Sequence, residues 1–270
     1  MPAYLCRTCG VQYPPSDAPP TVCPICEDER QHVGLGGQQW VTLEALRQGH
    51  RNEIAVEEPG LHSIHTSPQF GIGQRALLVQ TPEGNLLWDC VSLLDADTIA
   101  ALTALGGVRA IAISHPHYYS ALVEWSEAFG NAPVYIHEDD RQWVMRDNGQ
   151  TQFWSGEKIG LFGSIELHRT GGHFDGFQVA LWPAGAEGRG ALLAGDQPQI
   201  CADRRWVTFM YSYPNFIPLG PRAVRNIAWQ LTSLPFDRIY GPFPGRIVPA
   251  GAHDVISRSA SRYLRAIGAA

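Results

Sequence analysis

The chain has 270 residues, of which 44% are hydrophobic and 17% charged, and its formal net charge is -6 at pH 7. This length accommodates one large domain with a sizeable core, and the composition is that of a folded protein rather than a disordered one. No apolar run approaches the length of a membrane-spanning helix. The acidic balance, without any block of Lys or Arg, disfavours binding to a nucleic-acid backbone. We therefore expect a soluble protein whose partner is neither a membrane nor a nucleic acid.

Four cysteines form two tight pairs near the N-terminus, Cys6-x-x-Cys9 and Cys23-x-x-Cys26, with thirteen residues between the pairs. Each C-x-x-C turn lets two thiolates converge on one metal ion, and the intervening loop lets the second turn complete a tetrahedron. We predict a structural zinc site that is closed by all four sulfurs. Two disulfides or four unrelated thiols are the alternatives. Because only residues 1–5 precede the first cysteine, we expect no secretory signal and a cytoplasmic, reducing location, where disulfides are rare.

The sequence suggests three parts. Residues 1–37 are predicted to form the four-cysteine zinc-binding module, residues 38–59 a connector, and residues 60–270 the main domain. Residues 27–37 are polar and rich in glycine, and a short helix capped by Thr42 is expected in the connector.

The main domain alternates predicted strands and helices, and its sheet is expected to begin at about residue 72. The expected strands are 75–80, 86–89, 108–113, 134–136, 158–162, 164–168, 178–182, 191–194 and 238–240, and the expected helices are 97–105, 121–129, 138–146, 222–234 and 253–267. The middle α/β stretch favours parallel strand pairing. Residues 197–221 are predicted to be an irregular, aromatic-rich loop that covers the fold or walls a pocket. Two halves of this kind predict a four-layer sandwich with helices outside two packed sheets.

Polar residues that suit a transition metal follow three predicted strands. His115 and His117 come directly after one buried strand, and a His-x-His pair in an extended loop points both rings the same way. A Gly-His pair ends at His173, and a Gly-Asp pair ends at Asp196 after another buried strand. Because α/β sheets place ligands at such strand ends, we predict that these four side chains surround one site.

In the order and spacing of these residues the chain resembles the metallo-β-lactamase-fold superfamily over residues 60–268. The marks of that superfamily are a strand-end Asp, a His-x-His-x-Asp-His loop, a later Gly-His, a still later Gly-Asp and a final histidine. Asp89 is similar in position to the first mark, and the three histidines and Asp196 match those that follow. The resemblance implies an α/β (α+β) fold of the αββα type and hydrolysis of esters, thioesters, lactams or phosphoesters with one or two metals.

The chain departs from that pattern at the second metal. Tyr119 and Ser120 stand where the superfamily has Asp-His, and no histidine occurs near residues 240–245. The remaining set, His115, His117 and His173, is then expected to hold a single zinc or another divalent metal, with Asp196 as a fourth ligand or as the base.

The resemblance also suggests roles for the neighbours of this set. Asp89 is expected to orient the histidine loop by hydrogen bonding rather than to touch the metal, and Ser120 is expected to lie behind the ligands. Tyr119 either donates a hydrogen bond to an oxyanion or plugs the vacated position. His62 and His65 are candidates to replace missing ligands, with solvated histidines as the alternative.

These features predict a mononuclear zinc-dependent hydrolase that attacks an ester, thioester or related bond of a small molecule with metal-bound hydroxide. The alternative is a non-catalytic binding protein whose zinc module docks a protein partner, and the missing second-site ligands favour it. A redox di-iron role needs those ligands and ranks last.

Overall fold

The computed structural model describes residues 1–269, and its N-terminal part is a small unit built around the four cysteines. The elements of this part are β1 (Tyr4–Cys6), α1 (Pro24–Glu27), β2 (Trp40–Thr42) and α2 (Leu43–Gly49). Strands β1 and β2 pair antiparallel. Helix α2 begins as predicted, because the Thr42 side chain accepts a hydrogen bond from the Ala45 N–H and so satisfies a free donor of the first turn.

A sheet of seven strands follows in chain order. Its strands are β3 (Arg51–Glu58), β4 (Leu61–Ser67), β5 (Arg75–Val79), β6 (Leu86–Trp88), β7 (Ala110–Ala112), β8 (Val134–His137) and β9 (Thr151–Trp154). The first four strands pair antiparallel, and β6 to β9 pair parallel, which confirms the predicted pairing of the α/β stretch. The crossovers contain α3 (Ala96–Ala104) and α4 (Leu122–Ala128).

The second large sheet has six strands and closes the other half of the fold. The remaining strands are β10 (Lys158–Gly160), β11 (Glu166–Arg169), β12 (Gln178–Trp182), β13 (Ala191–Leu193), β14 (Gln199–Ile200), β15 (Val207–Thr208), β16 (Met210–Ser212), β17 (Ile217–Pro218), β18 (Arg238–Tyr240) and β19 (Ile247–Val248). The sheet runs in the order β10-β11-β12-β13-β18-β19, with only β13 and β18 parallel. The helices of this half are α5 (Gly185–Gly188), α6 (Pro221–Thr232) and α7 (Ala252–Ala266).

Three apolar clusters show how the layers stack. The central cluster joins the inner faces of the two sheets, for example Trp88 of β6 with Leu193 of β13. A second cluster packs the outer face of the seven-stranded sheet against α3 and α4, and a third packs the six-stranded sheet against α6 and α7. The order helix, sheet, sheet, helix confirms the predicted αββα sandwich.

The predicted boundaries were wrong in three places. The sheet begins at β3 rather than near residue 72, so residues 51–58, which we predicted to be part of a connector, form its edge strand. Residues 138–146 are not an α-helix but contain a 3-10 helix, Glu138–Trp143. Residues 197–221 are not wholly irregular, since β14 pairs with β15 and β16 with β17.

The cysteine-bearing segment packs directly on the main sandwich. Leu5 and Ile25 are fully buried in the same apolar cluster as Leu87 of β6. The Gln12 N–H donates to the Ser120 carbonyl at 3.0 Å. The division into a module, a connector and a main domain stays a prediction. Within residues 1–269, no helix combines the length and the apolar character that crossing a membrane requires.

Candidate metal centres

The four N-terminal cysteines form one compact, buried cluster. Their sulfur atoms all lie within 4.8 Å of one another, and the distances are 3.5 Å from Cys6 Sγ to Cys26 Sγ and 3.7 Å from Cys9 Sγ to Cys23 Sγ. Four sulfurs at about 2.3 Å from a zinc ion would be separated by about 3.8 Å in a regular tetrahedron. The cluster therefore has the size of a four-thiolate metal site.

The same distances do not fit disulfides, whose sulfurs lie about 2.05 Å apart, and all four cysteines are free thiols. Two hydrogen bonds support the sulfurs from outside the cluster. The Tyr13 hydroxyl donates to Cys23 Sγ at 3.1 Å, and Gln38 Nε2 donates to Cys6 Sγ at 3.1 Å. Donors of this kind stabilise the thiolate form that a metal requires.

A second buried cluster unites the predicted histidines. His115, His117, His173 and Asp196 offer ligand atoms that all lie within 4.8 Å of one another. They come from three connections. His115 and His117 flank the start of a 3-10 helix (Pro116–Tyr118) beyond β7, His173 lies between β11 and β12, and Asp196 follows β13. The strand ends of both sheets thus meet at one point, as the sequence predicted.

A hydrogen bond fixes the tautomer of His173, and ring nitrogens of the cluster face one another. His173 Nδ1 lies 2.7 Å from the Tyr211 carbonyl and can only donate to it, which leaves Nε2 as the acceptor. That Nε2 lies 3.4 Å from His117 Nδ1. His115 Nδ1 contacts Ser114 Oγ at 2.9 Å, while its Nε2 lies 3.4 Å from Asp196 Oδ2. Buried His115 Nε2 has no hydrogen-bond partner in the described part of the chain.

The electrostatics keep these imidazoles neutral. Burial lowers the pKa of His115 and of His173 to about 3, and it lowers the pKa of His117 well below its ordinary value. Neutral imidazole is the form that binds a metal. A buried, unpaired Nε2 costs free energy unless something occupies it. The donor set therefore fits a divalent metal ion.

The Asp196 carboxylate is held by residues that the sequence analysis did not single out. Gln74 Nε2 donates to Asp196 Oδ1 at 3.0 Å, so that oxygen is occupied, while Oδ2 faces the histidines. Tyr213 donates its hydroxyl proton to the Asp196 carbonyl at 2.5 Å. Burial raises the pKa of Asp196. The geometry fits Oδ2 as a metal ligand better than it fits a free base.

Asp89 lies behind the histidine loop. Its Oδ1 accepts a hydrogen bond from the Ser114 N–H at 2.7 Å, one residue before His115, and the side chain is fully buried. Asp89 has a φ of 63°, in the left-handed region, which Asp and Asn tolerate better than most residues. The contact fixes where the loop leaves β7.

Of the two predicted neighbours of the histidines, Ser120 lies beside the site and Tyr119 lies away from it. Ser120 lines a narrow cavity on one side of His117, together with Cys9 and Cys90. Tyr119 does not reach the histidine cavity: it is buried beside Val11 and lines a separate cavity. The structure therefore does not bring Tyr119 into the site where we predicted a catalytic contact.

His62 and His65 stand on β4 and do not belong to the metal-ligand cluster found among residues 1–269. His65 Nε2 instead lies 3.3 Å from Glu53 Oε2 on the neighbouring strand. The idea that these two histidines replace missing ligands was wrong.

The cysteine-bearing segment forms part of the wall of the histidine site. Arg30 and Gln31 line the cavity of about 60 Å³ that also contains His117, His173 and Asp196. The Arg30 guanidinium is held by Asp28 at 2.6 and 2.9 Å, and its carbon lies 4.0 Å from the centre of the Phe174 ring. Its Nη1 donates to the His173 carbonyl at 3.4 Å. Arg30 is thus neutralised and fixed, and its contribution is to shape the wall.

A buried acid supports the His173 loop. Asp140 Oδ1 accepts from the Gly176 N–H at 2.8 Å, and a side chain at position 176 would collide with Asp140, since a Cβ there would lie 2.7 Å from its carboxyl carbon. Burial raises the pKa of Asp140 from 3.8 to about 7. The folded state therefore binds more protons than the unfolded state between these values.

This shift predicts how Asp140→Asn changes stability with pH. The stability contributed by the native acid is fully present below pH 3.8 and is lost as pH rises to about 7. Asparagine keeps an acceptor for Gly176 but does not titrate. The free energy of unfolding of the variant, relative to that of the native chain, should therefore rise by about 1–3 kcal/mol from pH 5 to pH 8. Urea unfolding at both pH values measures this gain. An equal difference at pH 5 and pH 8 would contradict it.

The chain has the metallo-β-lactamase fold. Solved structures similar to it include the metallo-β-lactamase DIM-1, with a TM-score of 0.60 and 13% identity over 80% of this chain and 98% of that one. The metallo-β-lactamase SMB-1 gives a TM-score of 0.53 and 16% identity over 77% and 92%. A B3 metallo-β-lactamase with an active-site glutamic acid gives 0.54 and 17% over 94% and 97%.

Sequence identity to a protein of Bacillus subtilis shows the family of the chain. The chain is 49% identical over 269 residues to YmaE of Bacillus subtilis (strain 168), an uncharacterized protein, covering 99% of this chain and 97% of the relative. The chain belongs to the family of YmaE. No protein-family model matches it.

Proposed function

We propose that this protein is a metal-dependent hydrolase that uses one metal ion, zinc, held by His115, His117, His173 and Asp196, to cleave an ester, thioester or related acyl bond. A further zinc ion in the four-cysteine cluster has a structural role. The observation that carries the proposal is the convergence of three neutral imidazoles and one carboxylate oxygen beside a cavity that His117, His173 and Asp196 line. Three histidines are a common catalytic zinc set.

A divalent metal at such a site lowers the pKa of a bound water and polarises a carbonyl oxygen. The chain supplies the scaffold for this chemistry. The Tyr211 carbonyl fixes the tautomer of His173, and Gln74 holds the Asp196 carboxylate through Oδ1. In the reaction, water adds to the acyl carbon, the bond to the leaving oxygen or sulfur breaks, and a carboxylic acid and an alcohol or thiol result.

The residues at the positions of the second-metal ligands support a site with one metal ion. Ser120 lies beside His117 where the superfamily pattern expects a histidine, and the Gln74 amide occupies the Asp196 oxygen that does not face the histidines. An amide donor satisfies that oxygen without a second cation. A binding protein without catalysis is the competing function, and the experiment below separates the two.

The test is metal content per chain and hydrolysis of 4-nitrophenyl acetate and of an acyl thioester. We expect about two metal ions in the native chain, with two separate clusters, and about one in the variant His115→Ala/His173→Ala. Hydrolysis should fall by roughly 1000-fold, since the metal provides several kcal/mol of transition-state stabilisation. His65→Ala is the matched control because it removes a histidine outside the cluster.

One metal ion per chain, unchanged by the double variant, would show that the histidine site is empty. Two metal ions without hydrolysis of either compound class would favour the binding protein. Loss of activity in His65→Ala as large as in the double variant would contradict the assignment of the ligands.

A further inference from the structure

The histidine cavity borders a larger one that the cysteine-bearing segment helps to form. This entrance cavity has a volume of about 500 Å³, within the usual range of small-molecule sites. Its lining shares Gln31, Ile72, Tyr213 and Pro214 with the cavity of the histidines. The shared residues lie between the two spaces, so a ligand in the larger cavity can extend towards the histidines.

The residues that line the entrance carry a positive charge and no negative charge. Arg7 is the charged residue of its lining, and none of its lining residues is an acid. This is unexpected in a chain that has 26 acidic and 20 basic residues. The nearby acid Asp28 is already paired with Arg30. The entrance therefore offers an uncompensated positive charge.

Arg7 stands on a rigid support but leaves its charged group free. It is the first residue of the turn between Cys6 and Cys9, and its N–H donates to the Gln39 carbonyl at 3.0 Å. The Gly10 N–H also donates back to the Cys6 carbonyl at 2.8 Å, which closes the turn. The guanidinium makes no ion pair with any side chain in residues 1–269 and is exposed. A fixed backbone with a free cation is suited to binding an anion.

Gln31 adds a neutral donor between the two cavities. The residue is only 7% exposed, and its Oε1 accepts from the His32 N–H and contacts His32 Nδ1 at 2.9 Å. With the oxygen occupied, the two amide hydrogens are the groups left for a ligand. Its backbone is held as well, because Asn215 Nδ2 donates to the Gln31 carbonyl at 2.9 Å.

We propose that the substrate is a small acyl compound with an anionic group, a carboxylate or a phosphate, which Arg7 binds in the entrance cavity while the bond to be cleaved lies at the histidines. Gln31 donates to the part of the substrate between these two ends. This inference rests on the proposed hydrolysis for the bond that is cleaved, but the anion site stands on its own geometry. The cysteine cluster thereby acquires a role in substrate binding through the turn that carries Arg7.

The test compares esters and thioesters that differ only in their far end: a neutral primary amide, a carboxylate and a phosphate. The native chain should show a kcat/KM about tenfold higher for a charged end than for the neutral one, as expected of a charge-assisted hydrogen bond near solvent. In Arg7→Ala this ratio should fall towards one, mainly through KM. The relative order of carboxylate and phosphate identifies the anion. Arg204→Ala, an arginine that lines a different cavity, is the matched control.

A second measurement keeps the anion site testable if none of these compounds is cleaved. Binding of glutarate and of 3-phosphonopropionate is measured by calorimetry, and Arg7→Ala should weaken the tighter of the two by roughly tenfold. Binding that depends on Arg7 without any hydrolysis would keep the anion site and overturn the proposed hydrolase. Hydrolysis without a preference for charged ends, or binding of both acids that is equal or undetectable in the native and Arg7→Ala chains, would overturn the anion site. Unchanged metal content would show that the variant is folded.

Discussion

Replacing Cys23 and Cys26 by alanine is expected to release one metal ion per chain and to lower the thermal midpoint of unfolding by at least about 10 °C. A four-thiolate zinc site contributes roughly 10 kcal/mol or more to the folding of a short segment, and each kcal/mol is worth roughly 2–4 °C in a chain of this size. The buried residues of the segment belong to the apolar cluster of the seven-stranded sheet rather than to a separate core, so the local fold of the segment depends on the metal. Mass spectrometry of the metal content and calorimetry measure both effects.

The loss should extend beyond the segment itself. Leu5 and Ile25 belong to the apolar cluster of the seven-stranded sheet, and Arg30 and Gln31 line the histidine cavity. Releasing the cysteine metal therefore exposes part of the main core and opens the wall of the site. We expect the variant to lose hydrolytic activity even where it keeps the metal at the histidines.

Cys201→Ala is the control for this experiment, since its thiol lies outside the cluster and is partly exposed. It should keep both metal ions and the native midpoint. A Cys23→Ala/Cys26→Ala chain with a native midpoint would show that the segment folds without its metal, and the structural role of the cluster would be wrong.

The sequence predicted the site well wherever ligands follow strands in short local motifs. His115 and His117 are fixed by one tight turn after β7, and Gly171 and Gly172 before His173 adopt positive φ values of 61° and 93° that favour glycine. Such short motifs position their side chains through local backbone geometry, so they can be recognised before the rest of the fold is known. The cysteine cluster was predictable for the same reason, because each pair is contained in one turn.

Residues that reach the site from distant parts of the chain were not predictable. Gln74 contacts Asp196 across 122 positions, and Arg30 contacts His173 across 143. Neither residue type nor local spacing marks such contacts, because they arise only when the two sheets and the N-terminal segment have packed together. The wall of the cavity was therefore missed, although the side chains predicted to be metal ligands do converge in two clusters.

Local backbone geometry explains the error at Tyr119. The 3-10 helix Pro116–Tyr118 turns the chain between two successive tyrosines. Tyr118 points inward, and its hydroxyl donates to the Arg75 and Pro242 carbonyls at 3.0 and 3.2 Å. Tyr119 points to the other side. A sequence pattern predicts where a residue lies along the chain, but it does not predict the direction in which a single helical turn points the side chain.

The edge strand β3 was missed because its composition is typical of an exposed strand. It contains Arg51, Glu53 and Glu57, and its outer edge has no neighbour in the seven-stranded sheet. Charged side chains on an edge strand prevent pairing with other chains, but they also weaken the apolar alternation that identifies a strand. The strand was therefore read as a polar connector.

The second large effect is expected for Asp89→Ala. The change removes the acceptor of the Ser114 N–H and places alanine at a φ of 63°. A buried N–H without a partner costs about 1–3 kcal/mol, and the left-handed conformation costs alanine about 1 kcal/mol more. We expect a total loss of about 2–4 kcal/mol of stability, measured by urea unfolding of the metal-loaded chain.

The same contact should also control metal affinity, because Ser114 precedes His115 and contacts its Nδ1. Loss of an interaction behind a metal ligand typically weakens the metal by about 10–100-fold, which a competition titration with a chelator measures. Asp89→Asn provides the matched control. Burial raises the pKa of Asp89 well above its usual range. Asparagine has nearly the same shape and tolerance of positive φ, and its side-chain oxygen can still accept from the Ser114 N–H.

Asp89→Asn should therefore keep most of the stability and of the metal affinity that Asp89→Ala loses. If both variants lose affinity equally, the negative charge of Asp89 rather than its hydrogen bond supports the site, and the carboxylate is ionised once the metal is bound. If neither variant loses affinity, the loop is held by the packing of His115 against Phe177, whose ring centres lie 4.9 Å apart, and the positioning role of Asp89 is wrong. The difference between the two variants thus measures whether shape or charge behind the histidine loop holds the metal.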